Sequence, residues 1–185
     1  MPRRPDELER EIEKWRAVAR SRPERIDPVG AGQESVWDYP RPPRVEPSPL
    51  RITVEYAGVT LADTTRALRV LETSSPPVYY LPPADVRTQY LEPTDHSTLC
   101  EWKGVARYWS ARVGQRVAEA AAWSYAEPLA GFESIRGHLA FHAGVLDACT
   151  VGEWRVTPQP GDYYGGWITP NVVGPFKGAP GSEGW

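Results

Sequence analysis

Cysteine, lysine, histidine and long apolar runs are all scarce in this 185-residue chain, and each shortage excludes a class of protein. Two cysteines, Cys100 and Cys149, cannot build a disulfide framework or a four-thiolate zinc site, and no Cys-x-x-Cys pair occurs. They are expected as free thiols. A formal charge of −3 leaves no basic excess to neutralise phosphates, so nucleic acid is not an expected partner. No stretch reaches the roughly 18 apolar residues of a membrane span. The first fifteen residues, MPRRPDELEREIEKW, are charged where a signal peptide needs an apolar segment, so a cytoplasmic location is expected. What is plentiful is proline (20), glycine (16) and tryptophan (8), which describes a folded domain rich in turns and edge strands rather than long helices.

The pattern divides the chain into four parts. Residues 1–22 read as an amphipathic helix. Asp6 and Glu9 have capping-box spacing, Leu8, Ile12, Trp15 and Ala19 form one apolar stripe, and Pro23 ends the pattern. So narrow a stripe needs a partner surface, either the chain's own domain or a second copy, so a homo-oligomer through this helix is one expectation. Residues 23–49 carry seven prolines and read as an extended strap, anchored by Trp37 and Tyr39. Residues 50–150 read as a β domain. Ile52–Tyr56 and Val59–Ala62 flank an Ala57-Gly58 turn, and further strands are expected at Ala67–Glu72, Val78–Leu81, Gly104–Ser110, Ala120–Tyr125 and His138–Phe141, with a turn at Gly114. This predicts a compact, mainly antiparallel β barrel or a pair of packed sheets; alternating βα units, and with them a doubly wound nucleotide fold, are absent. Residues 151–185 combine glycine and proline with Tyr163, Tyr164, Trp167, Phe176 and Trp185, as in a tail that wraps a domain.

Chemistry-bearing residues concentrate in TLCEWKGVARYW, Thr98–Trp109. Lys103 beside Trp102 and Gly104 can act as a desolvated amine or an anion anchor, or it can be a strand lysine snorkelling past a tryptophan. Lys177 has the same kind of setting, Phe-Lys-Gly. Cys100 is a candidate nucleophile if His96 or Lys103 folds against it, and a small buried apolar group otherwise. Asp85 reads as a general base or as the N-cap of a short helix over 86–90. Glu72 ends an apolar strand, where burial obliges it to find a donor. Tyr80, Tyr108, Trp123 and Trp102 are candidate ligand-binding aromatics, with core packing as the alternative. His138 and His142 have the spacing of a helical metal pair, but the residues between them read as a strand end, so no metal is expected. Strict alternation separates Lys103 from Tyr108 unless a bulge at Gly104 shifts the phase.

Several of these segments occur together in a known family. They are Ser35–Pro43, Ala62-Asp63-Thr64, Tyr79–Pro82, Thr98–Gly104, Tyr108-Trp109, Ala122–Tyr125, Tyr164–Thr169 and Gly174–Gly178. The chain thereby resembles the bacterial family Domain of Unknown Function 427, also labelled nucleotidyltransferase-like, over Ser35–Trp185. Glu101 stands where that family usually has proline. The resemblance implies a compact β fold of the Mss4-like or β-tent type and carries no defined reaction. Two-metal nucleotidyl transfer needs closely spaced aspartates and a Walker loop needs Gly-Lys-Ser/Thr, and this chain has neither. The leading expectation is a small-molecule-binding β domain, with Lys103, Asp85, Glu72 and Cys100 as catalytic candidates. Acid–base or amine-assisted chemistry on a small anionic or carbonyl ligand is its enzymatic form, with no cofactor. A non-catalytic protein-interaction module is the alternative, and nucleotidyl transfer a third.

Overall fold

The computed structural model describes residues 5–185. Helix α1 (Pro5–Arg16) carries Asp6 and Glu7 in its first turn and Lys14 and Arg16 in its last, which complements the helix dipole. It stops three residues short of Ala19. Asp6 lies inside the helix and pairs with Arg10 at 2.8 Å, so it does not form a capping box with Glu9. Ile12 is the buried member of the stripe, whereas Trp15 stays 43% exposed.

After the helix the strap contributes β1 (Glu34–Ser35) and a 3₁₀ turn over Val36–Asp38, which Ser35 caps by accepting from the Trp37 N–H at 3.2 Å. Trp37 anchors the strap: its indole meets Trp185 edge-on at 5.4 Å and donates to the Pro175 carbonyl at 2.9 Å. The strap ends in β2 (Arg44–Pro47). The expected hairpin follows as β3 (Ile52–Tyr56) and β4 (Val59–Thr64), then β5 (Leu68–Leu71) and β6 (Val78–Tyr80). The region expected as a helix over 86–90 is two 3₁₀ turns, Pro83–Asp85 and Thr88–Tyr90. Three long strands come next: β7 (Leu91–Cys100), β8 (Gly104–Val113) and β9 (Arg116–Ser124), the last two joined by a turn at Gly114. Short strands complete the chain: β10 (Leu139–Phe141), β11 (Ala148–Val151), β12 (Trp154–Arg155), β13 (Thr157–Pro158), β14 (Trp167–Ile168) and β15 (Val172–Val173).

The described strands form several sheets, antiparallel except for the β1–β15 pair, and they do not close into a barrel. The sheet β10-β9-β8-β7 meets the sheet β2-β5-β6 through one bridge, in which Leu81 and Leu139 exchange backbone hydrogen bonds of 2.8 and 2.9 Å. A third sheet, β12-β11-β3-β4, covers the other side of the main core. β7 is absent from the expectation because Glu92-Pro93-Thr94-Asp95-His96-Ser97 reads as loop. It is an edge strand, hydrogen-bonded to β8 alone, and a bulge between Pro93 and Ser97 accommodates the proline.

Strand alternation sorts side chains between two interiors. Trp109, Ala111 and Val113 of β8 join the larger core with Ile52, Leu61, Phe141 and Trp167, whereas Ala106 and Tyr108 join a second cluster with Tyr80, Trp123, Tyr125 and Ala140. The central sheet is therefore buried on both faces. Its second face is not filled by packing alone.

Candidate functional site

A cavity of about 720 Å³ opens over this second face. Its floor and near wall are Tyr80 from β6, Tyr108 from β8, Trp123 and Tyr125 at the end of β9, and His142 after β10. Ser97–Cys100 of β7, Glu101 just after it and Glu72 after β5 line its sides, with Arg41 from the strap and Arg20 beyond α1. Gln159, Tyr163, Tyr164, Gly165 and Lys177 of the tail close over it. Gly165 is required here, because a Cβ at that position would collide with the Trp123 indole.

The β7–β8 connection explains how Lys103 reaches the cavity. Cys100 pairs with Gly104, so Glu101, Trp102 and Lys103 form the loop of a tight hairpin. Gly104 has φ of 95°, in the left-handed region that glycine tolerates. Lys103 thus belongs to the turn rather than to the strand. Strand alternation does not apply to it, and it shares the cavity wall with Tyr108.

Lys103 is 8% exposed and forms no ion pair within 4.0 Å among the described residues. Burial opposes its charge, while the nearby Cys100 sulfur, Tyr80 oxygen and Glu72 carboxylate act in the other direction, and the balance raises its pKa. Burial also pushes the Tyr80 phenol up to about 12, so it is neutral at physiological pH. Glu72 is shared, accepting from Arg41 at 2.7 Å. Arg41 in turn reaches Glu101 at 2.8 Å, and Arg20 lies 3.8 Å from the same carboxylate. A chain of alternating charge therefore runs from the floor to the mouth.

The aromatic wall is continuous. Trp123 donates to the Tyr80 hydroxyl at 3.4 Å and meets that ring edge-on; its other neighbours are Tyr108 at 6.4 Å and His142 at 4.4 Å. His142 lies parallel to Tyr108, with an 11° interplanar angle. Burial lowers its pKa to about 4, so the imidazole is neutral near pH 7. Tyr108 is also raised by burial, and its hydroxyl lies 3.0 Å from that of Thr98.

Six of the residues singled out from the sequence, Glu72, Tyr80, Cys100, Lys103, Tyr108 and Trp123, line this one cavity. Two do not. Asp85 ends the Pro83–Asp85 turn and is consumed by Arg66 (2.6 and 3.1 Å) and the Thr64 hydroxyl (2.6 Å), which hold its carboxyl below its usual range. It is a loop staple rather than a cavity base. Trp102 sits between the guanidinium groups of Arg16 and Arg41, at 5.1 and 5.4 Å, and buttresses the hairpin from outside the cavity. His96 packs on Tyr108 with ring centroids 4.5 Å apart and planes tilted by 56°, and no hydrogen bond joins it to the Cys100 sulfur among the described residues. His138 and His142 flank the extended strand β10, where four residues span roughly 13 Å, so they do not act as a helical pair. Among the described residues no group of three His, Cys, Asp or Glu side chains converges as a metal site.

Cys100 and Cys149 are both free thiols. Cys149 lies in the main core, where burial pushes its thiol up to about 12. Arg20, Arg41, Ser74, His142 and Lys177 complete the cavity from distant parts of the chain; Arg41 and Lys177 fall within the short segments Ser35–Pro43 and Gly174–Gly178, whereas Arg20 and Ser74 carry no local signal.

No curated protein matches the chain. A sequence model of the family described as "Domain of unknown function (DUF427)" matches residues 44–152, which includes Glu72, Tyr80, Cys100, Lys103, Tyr108, Trp123 and His142 but neither α1 nor the tail. The match takes in well over half of the chain, and the chain belongs to the Domain of Unknown Function 427 family.

Proposed function

We propose that the domain binds a small planar organic anion in the aromatic cavity, with Lys103 anchoring the anionic end. The observation that carries this reading is a nearly fully buried ammonium with no ion pair among the described residues, set in a wall of aromatic rings. A buried charge without a full counter-charge costs free energy, and a bound anion offsets that cost. Tyr80, Tyr108, Trp123 and His142 provide flat faces against which a ring can stack.

The same wall suits acid–base chemistry. The Lys103 ammonium can stabilise negative charge developing on a bound oxygen. The Tyr80 phenol and the Cys100 thiol are proton donors beside it, and neutral His142 is a proton acceptor. Because Lys103 is held protonated, it serves as a cationic anchor rather than as an amine that condenses with a carbonyl. Amine-assisted chemistry is accordingly not part of the proposal. We also assign the open architecture to the β-tent type. Support comes from two sheets joined at Leu81–Leu139 with a ligand-sized space over their shared face.

A protein-interaction module acting through α1 is the second reading: Ile12 is buried by the chain itself, which speaks against it, but Trp15 of the same stripe is 43% exposed. The test is calorimetric titration of the whole chain with benzoate, used as a minimal planar anion. Saturable binding that is lost in Lys103→Met, with the melting temperature maintained, supports the proposal. Equal binding by the wild type and Lys103→Met refutes the anchor.

A further inference from the structure

The mouth of the cavity carries a second set of unsatisfied donors, away from the Lys103 floor. Arg20 arrives from the segment after α1, Arg41 from the strap and Lys177 from the tail, and all three line the cavity beside the loop Thr73–Pro76. The Lys177 N–H donates to the Ser74 carbonyl at 2.8 Å, which fixes tail against loop. Ser74 adopts φ of 74°, uncommon for a residue with a side chain, and is 3% exposed. Its hydroxyl is not one of the fully buried unpartnered groups, and the hydrogen bonds found for Ser74 among the described residues run through its backbone.

Satisfaction at this mouth is one-sided. Glu72 and Glu101 are used by Arg41, and Glu101 is also approached by Arg20. The Arg20 Nε is fully buried without a partner. The Lys177 ammonium donates to the main-chain oxygen of Trp185 at 2.6 Å and stands 5.6 Å over the Tyr164 ring, and it forms no ion pair with an Asp or Glu among the described residues. Of the other acids lining the cavity, Glu183 is exposed and accepts from the Gly181 N–H, and Glu11 stands on α1. What the mouth leaves open is therefore donors: a guanidinium N–H, an ammonium and a hydroxyl. A group made of acceptor oxygens and carrying close to two negative charges complements that set.

We propose that this mouth seats a phosphate monoester, whose oxygens accept from Arg20, Lys177 and Ser74 while its planar organic part lies against Tyr108 and Trp123 toward Lys103. The proposal rests on the planar-anion reading above and names its substrate class. Burial, and then the nearby Arg20, lower the pKa of Lys177, a like-charge crowding that a bound dianion relieves. The seat is built by Arg20, Arg41 and Lys177, all outside the family-matched residues 44–152, together with the loop at Ser74 inside them.

Titration calorimetry on the full chain separates the two readings, with phenyl phosphate, benzoate, inorganic phosphate and isophthalate as probes. Phenyl phosphate is expected to bind about tenfold tighter than benzoate, the worth of one charge-assisted hydrogen bond. Lys177→Gln and Ser74→Ala are each expected to remove most of that advantage, weakening phenyl phosphate far more than benzoate. Lys103→Met should weaken both ligands. Two variants on different segments keep the test decisive if one fails to fold. Phenyl phosphate binding no tighter than benzoate, or unmoved by both mouth variants, overturns the phosphate seat alone. Isophthalate binding as tightly as phenyl phosphate overturns the phosphate in favour of a dicarboxylate. Failure of both benzoate and phenyl phosphate to bind overturns this proposal and the planar-anion reading together.

Discussion

Replacing His142 with phenylalanine should change how the protein responds to mild acid. The imidazole lies between Trp123 and Tyr108 with its pKa lowered by burial to about 4, against an ordinary value near 6.5. Between those two values the unfolded chain takes up a proton that the folded chain refuses. Stability contributed by the neutral ring is thus fully present above about pH 6.5 and is lost as pH falls toward 4. Integrating this linkage from pH 7 to pH 5 gives a loss of about 2 kcal/mol. For a domain of this size that corresponds to a melting temperature lower by roughly 4 to 8 °C. Phenylalanine keeps a flat ring in the stack but cannot titrate. Carboxylates held low by arginine partners, such as Asp85 and Asp147, lose their stabilisation only as pH falls below about 4. The interval from pH 7 to pH 5 therefore isolates the histidine. The assay is urea unfolding of both proteins at the two pH values. A wild-type loss near 2 kcal/mol with a much smaller one in His142→Phe fits the account; identical losses in both proteins would refute it.

Other perturbations address the cavity and its surroundings. Gly165→Ala places a Cβ against the Trp123 indole, so tail or indole must move; this overpacking should cost about 1 to 3 kcal/mol in urea unfolding and shift tryptophan fluorescence. Iodoacetamide should modify Cys100 in the cavity wall well before Cys149 in the core, as read by peptide mass spectrometry under native conditions. Asp85→Asn breaks the contacts to Arg66 and Thr64 but should leave benzoate affinity at the wild-type value, because that carboxylate stands outside the cavity. Borohydride trapping with benzaldehyde at neutral pH should give no adduct at Lys103, since the amine is held protonated.

Local patterning made much of the fold legible. Ile52, Val54 and Tyr56 alternate cleanly because one face of β3 packs on the core, and Ala57 and Gly58, both at positive φ, turn the chain. The polar run in β7 hid a strand because an edge strand with a bulge needs no apolar alternation. Alternation alone separates Lys103 from Tyr108, and the irregularity at Gly104 that would join them is a three-residue turn that lifts Lys103 off the strand. The aromatic half of the cavity lies in recognisable short motifs. Its charged mouth is legible only in pieces: Arg41 and Lys177 stand in short motifs, but their meeting with Arg20 and Ser74 comes from long-range packing of strap and tail on the domain. Asp85 illustrates the converse: a carboxylate held after a strand looks like a base until its partners, Thr64 and Arg66, are placed.

The central claim is that the buried Lys103 ammonium waits for an anion in an aromatic cavity. Benzoate titrated calorimetrically into wild type and Lys103→Met, under identical salt and pH, tests it most directly. The account predicts saturable one-site binding to the wild type and none to the variant, with both proteins folded. Binding of equal affinity to both proteins, or to neither, would contradict it.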